Sequence, residues 1–101
     1  MRRSCAAVAL AWVAWLHSVF PNKDINEWRP VGSAETLEEC KQAAATAASN
    51  AIRRFRAQND GSTYALEGLL IEVRFPSGET ASHAFFCFPD TVDPRPMGGG
   101  R

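Results

Sequence analysis

Between residues 37 and 58 apolar side chains recur at three- and four-residue spacing: Leu37, Cys40, Ala44, Ala47, Ala48, Ala51, Ile52 and Phe55. Glu38, Gln42, Thr46, Ser49, Arg53 and Arg56 fall mostly on the other side, so the pattern predicts one amphipathic helix from about Leu37 to Gln58. Its start reads as a capping box, in which the Thr36 hydroxyl accepts from the Glu39 amide while the Glu39 side chain reaches back. Glu38 and Glu39 also sit at the positive end of the helix dipole. Alanine fills the middle of the apolar stripe, which lets the helix backbone approach its partner closely. Asn59-Asp60-Gly61-Ser62 ends the helix.

The period then changes to two. Leu69, Ile71, Val73 and Phe75 point one way and Leu70, Glu72 and Arg74 the other, which is a half-buried strand. Pro76-Ser77-Gly78-Glu79 is a turn, and Ser82 to Phe88 is a second strand, so the two are expected to form a hairpin. Near the start, Trp12 to Phe20 is rich in aromatic and β-branched residues and stops at Pro21-Asn22, as a strand would. Glu27 to Gly32 can pair only briefly before Pro30 and Gly32 end it, and Trp28 is expected to plug the core. The expected fold is α+β: one long helix packed on a three-stranded antiparallel sheet of Trp12 to Phe20, Leu69 to Phe75 and Ser82 to Phe88.

A chain of 101 residues holds one ordinary domain, and 46% hydrophobic residues can furnish its core. Eleven basic and eleven acidic residues cancel, so no overall field draws the protein to nucleic acid or to an anionic membrane. Arg2-Arg3 followed by the apolar run from Ala6 to Leu16 resembles the opening of a secretory leader. Cleavage after Ala9 or Ala11 would leave an apolar region at the short limit of roughly 7 residues, so either the leader is compact or it begins upstream of Met1. His17 and Pro21 to Asp24 break the run before the roughly 18 residues of a spanning helix, and no stable membrane span is expected. Residues 1–11 are thus read as the remnant of a signal peptide, 12–95 as one domain, and 96–101, with Gly98-Gly99-Gly100, as a disordered tail.

If Cys5 leaves with the leader, Cys40 and Cys87 remain and have one possible pairing, a helix-to-strand disulfide. Closing so long a loop stabilises the fold by about 4 kcal/mol on the chain-entropy account. In a reducing compartment the same thiols would instead be buried and inert. Pairing with Cys40 would put Cys87, Phe85 and His83 on the helix side and Ala84, Phe86 and Phe88 on the other, where the two phenylalanines need cover from the first strand, from Trp28 or from the closing segment.

Trp12 to Trp15 after a leader, Trp28 before Glu35-Thr36-Leu37-Glu38-Glu39-Cys40, and the closing Cys87-Phe88-Pro89-Asp90-Thr91-Val92-Asp93-Pro94-Arg95 together resemble a group of small uncharacterised bacterial secreted proteins. The resemblance spans most of the chain after the leader and implies an exported, periplasmic or extracellular, two-cysteine domain. It carries no activity over.

Candidate chemistry is sparse. His83 and Cys87 lie four apart on one strand, roughly 13 Å, and cannot form a nucleophilic pair. His17, His83, Asp90 and Asp93 lack the paired spacing of a metal site, and no cofactor motif is present. Asp90 and Asp93 suit backbone hydrogen bonds in the turn that leaves the last strand. Arg53, Arg54 and Arg56 complement the helix dipole, and a helix of about 33 Å against a strand of about 23 Å should carry them past the sheet as a possible interface with an acidic partner. Phe86 and Phe88, if uncovered, are the other candidate interface. The expected function is an exported binding or structural module, not an enzyme, whose partner is another protein. The alternative is a regulator or inhibitor of a hydrolase acting through the Pro76–Glu79 turn or the Pro89–Arg95 loop.

Overall fold

The computed structural model describes residues 12–96. The expected leader with Cys5, and the tail from residue 97, lie outside the described residues. Strand β1 (Trp12–Phe20) passes through a 3₁₀ turn (Pro21–Lys23) into β2 (Ile25–Ala34). Helix α1 (Leu37–Ala57) follows, then β3 (Thr63–Glu67), β4 (Leu70–Arg74) and β5 (Thr80–Pro89). The strands form one sheet in the order β2-β1-β5-β4-β3, with every neighbouring pair antiparallel.

The architecture is α+β with one helix on the sheet, as expected, but the sheet has five strands rather than three. The two additional strands are its edges. β2 runs through Pro30 and Gly32, which read locally as terminators. It survives them because it has a neighbour on one side only and because its register with β1 slips between Ala14 and Trp15, so that Val31 is extruded as a bulge. Proline, which cannot donate to a ladder, is tolerated at an edge and beside a bulge. β3 returns to β4 through Gly68-Leu69, with Gly68 at φ 61° in the first turn position. That conformation suits glycine and makes the tight hairpin possible.

The helix begins where the capping signal places it: the Thr36 hydroxyl accepts from the Glu39 amide at 3.1 Å. It ends one residue early, at Ala57, with Asn59 in the left-handed conformation as the stop. Cys40, Ala44, Ala48, Ala51 and Ile52 are its buried residues. They meet Ala14, Ile71, Val73, Ala81 and Phe85 from the inner face of the sheet, and Leu69 and Phe75 pack at the margin. Small residues on the helix allow the close approach, and Ile71 is fully buried.

Cys40 in the first turn of α1 is bonded to Cys87 on β5 across 47 residues, with α-carbons 6.2 Å apart. The bond joins the two layers at one end. It also fixes the parity of β5 as expected, with Phe85 and His83 inward and Phe86 and Phe88 outward.

Candidate functional site

Among the described residues no helix lies on the outer face of the sheet. Because neighbouring strands share parity across the ladder, Val13, Trp15 and His17 of β1 stand beside Phe88, Phe86 and Ala84 of β5. His17 also stands beside Trp28 of β2. The side chains use that proximity: the His17 and Trp28 rings stack at 4.0 Å with planes 7° apart. Trp28 reaches across the intervening β1 to Phe86 at 5.5 Å and Phe88 at 6.1 Å, and those two stack on each other at 5.9 Å. Such offset and tilted arrangements suit the ring quadrupoles. Trp28 is therefore not the expected core plug: it lies half-buried on the opposite side from the core, as cover for two phenylalanines. The cover is partial, since Phe86 stays 38% exposed.

The closing segment supplies a second piece of cover. Val92 N–H donates to the Pro89 carbonyl to turn the chain, and Asp93 accepts from the backbone N–H, Nε and Nη2 of Arg95. This ties Asp93-Pro94-Arg95 into a strap with the Arg95 guanidinium 5.2 Å above the Trp15 ring, a cation–π contact. The Arg95 hydrogen bonds hold the Asp93 carboxyl down at about 2. Trp15 is consequently buried, although its Nε1 finds no acceptor among the described residues. Beyond the strap the outer surface of β4 and β3 is polar, with Thr63, Glu67, Glu72 and Arg74 exposed.

The basic helix end behaves differently from its sequence reading. β1 and β5 span nine and ten residues, so the sheet matches the helix in length. The end lies over β3 instead of past the sheet: Phe55 stacks on Tyr64 at 5.6 Å, and Arg56 donates to the Tyr64 carbonyl at 3.1 Å. Arg53 donates to Asn50 one turn earlier. Arg54 lines a cleft between α1 and β2 that Arg29 also lines. The three arginines thus take three separate roles, and they are remote from Phe86 and Phe88, which lie on the other side of the sheet.

Local sequence missed one buried polar pair. Ser18, 8% exposed, shares a hydrogen bond with His83 Nδ1 at 2.9 Å across β1 and β5. Burial, and then the Arg29 charge, hold the imidazole below its ordinary pKa. Its ring lies between Phe20 at 5.6 Å and Phe55 at 5.1 Å. The bond joins β1 to β5 within the partly buried inner layer. His17 and His83 fall on opposite faces of the sheet, and no trio of potential metal ligands gathers among the described residues. Nor is any described helix long and apolar enough to cross a membrane.

Trp28 was expected either as a core plug or as one source of cover for Phe86 and Phe88, and it takes the second role; its placement, with the stacking of His17 and the inward side of Arg29, depends on β2 continuing through Pro30. The local signal was a third tryptophan, Trp28, two residues before a proline of the kind an edge strand tolerates. Comparisons with protein-family models, with curated proteins and with solved structures return no match.

Proposed function

We propose that this chain is an exported binding module that engages a partner protein through the open aromatic face of its sheet. The observation carrying the reading is Phe86, 38% exposed at the centre of a continuous cluster with His17, Trp28 and Phe88. Single exposed apolar residues are ordinary, whereas a contiguous aromatic patch with a polar rim has the composition of an interface core. Trp28, which touches Phe86 and Phe88, is of a residue type enriched among binding hot spots. A protein suits this surface better than a small ligand, because neither the cleft beside Pro21 and Tyr64 nor the one between α1 and β2 is lined by Trp28, Phe86 or Phe88. The disulfide is compatible with export, since such bonds persist in oxidising compartments. The reading involves no catalytic step. The hydrolase-regulator alternative fits a sheet covered on both faces with a protruding turn, and the open face weighs against it.

Site-specific photo-crosslinking in producing cells tests the proposal. A benzophenone side chain at position 86 should yield one discrete heterologous adduct, and the same group at exposed position 53 on the helix should not. Addition of untagged chain should suppress the adduct, while chain carrying Trp28→Ser and Phe86→Ser should not. No adduct, or equal adducts from both positions, would overturn the reading. An adduct of twice the chain mass would reassign the face to self-association.

A further inference from the structure

We infer that the cleft between α1 and the inner face of β2, β1 and β5 is a binding site for a small anionic amphiphile: an aliphatic carboxylate whose chain lies on the apolar floor and whose head meets Arg29 and Arg54. This surface is on the opposite side of the sheet from the aromatic cluster, so the inference stands independently of the partner-protein reading.

The hollow follows from the residues. The side of α1 turned toward β2 presents Ala47 and Ala51, too short to fill the space between helix and edge strand. What remains is a cleft of about 430 Å³, within the size range of small-molecule sites. Its floor is apolar, made by Leu16 and Phe85 from the sheet and by Phe55 from the helix. Its rim is cationic. Arg29 pairs with the inward Leu16 across the β2–β1 ladder and so projects to the helix side, where Arg54 also faces the cleft.

Neither guanidinium is neutralised. The one ion pair among the described residues is Asp93–Arg95, so no described carboxylate lies within 4.0 Å of Arg29 or Arg54. Glu27 shares the inward side of β2 but does not line the cleft. His83 forms part of the wall, its Nδ1 occupied by Ser18, and burial favours its neutral form. Two unpaired guanidiniums over an apolar floor are complementary to a carboxylate with a hydrocarbon chain: the head gains charge-assisted hydrogen bonds and the chain leaves water. A bare inorganic anion would leave the floor unused. A second cleft of similar volume, beside Pro21 and Tyr64, carries Glu72 together with Arg74 and therefore makes no net demand for either charge.

Calorimetric titration of the oxidised full chain, stripped of lipid by organic extraction, tests the inference with decanoate, decanol and acetate as probes. Decanoate should bind one per chain with a dissociation constant on the order of micromolar. Decanol should bind at least about tenfold more weakly, and acetate should give no heat. Replacing Arg29→Gln and Arg54→Gln together should weaken decanoate at least about tenfold and leave decanol unchanged. Ala47→Leu should weaken both by filling the floor, with near-ultraviolet dichroism reporting the fold. Decanoate binding no tighter than decanol, binding at several per chain, or binding indifferent to the arginine pair would overturn the inference. The arginine variant alters two exposed side chains, so it decides the matter even where Ala47→Leu fails to fold.

Discussion

On the inner face of the sheet, Ala14, Ile71, Val73, Ala81 and Phe85 are sealed beneath a helix whose contact residues are mostly alanine. On the outer face, Trp28, Phe86 and Phe88 carry far more apolar surface and retain contact with water. Both faces are read off the same strands by the same alternation, so side-chain size does not decide which is covered. The covering layer does. Small residues let α1 settle close to the sheet and exclude water, whereas the outer rings have only one another, the strap and Trp28 to lean on. The inner face should therefore hold the stability of the fold, and the outer face should be largely free of that duty.

The sharpest way to break that contrast is to unfasten the inner layer. Removing the cross-link with Cys40→Ser and Cys87→Ser should lower unfolding free energy by about 4 kcal/mol, because the bond closes a 47-residue separation. Denaturant titration checks it, and a loss below about 1 kcal/mol would mean that packing alone keeps the layers together. Next comes a matched pair of truncations. Ile71→Ala, at a fully buried site, should cost roughly 2–5 kcal/mol, while Phe86→Ala should cost less than about 1 kcal/mol although it deletes a larger side chain. Equal costs would show that the outer cluster is as structural as the core.

The smallest expected effect concerns pH. The folded His83 imidazole titrates below its ordinary value of 6.5, chiefly through burial and then through Arg29. On acidification the unfolded chain takes up this proton before the folded one does. The stabilisation is therefore complete above about pH 6.5 and is lost as pH falls through the lower folded value. The melting temperature should fall between about pH 7 and pH 5, and the fall should be shallower in a His83→Phe variant. An identical slope in both proteins would place the titrating group elsewhere.

Local chemistry carried a reader far along this chain. Thr36, Glu39 and the three- and four-residue spacing located α1 to within a residue of its end, because caps and amphipathic periodicity involve only neighbours in sequence. Period-two alternation found β1, β4 and β5 for the same reason. β2 outruns the brief pairing expected of Glu27 to Gly32, and β3 was not expected, because edge strands relax the rules that hold inside a sheet. Pro30 is prohibitive only where a neighbour needs its N–H, and the Gly68-Leu69 hairpin makes sense only once β4 has β5 on its other side.

The parity of Phe85 and Phe86 follows from the two-residue repeat of a strand, and the chain alone decided it; the choice of Cys40 and Cys87 from three cysteines followed from the sequence only on the expectation that Cys5 leaves with a leader. Tertiary structure decided the rest: that Trp28 crosses β1 to shelter Phe86 and Phe88, that Arg54 and Arg29 line one hollow, and that Ser18 finds His83. Each of these joins residues whose separation in sequence says nothing about distance. They become neighbours only when strand order brings β2 and β5 to either side of β1 and the short side chains of α1 set how near the helix can come.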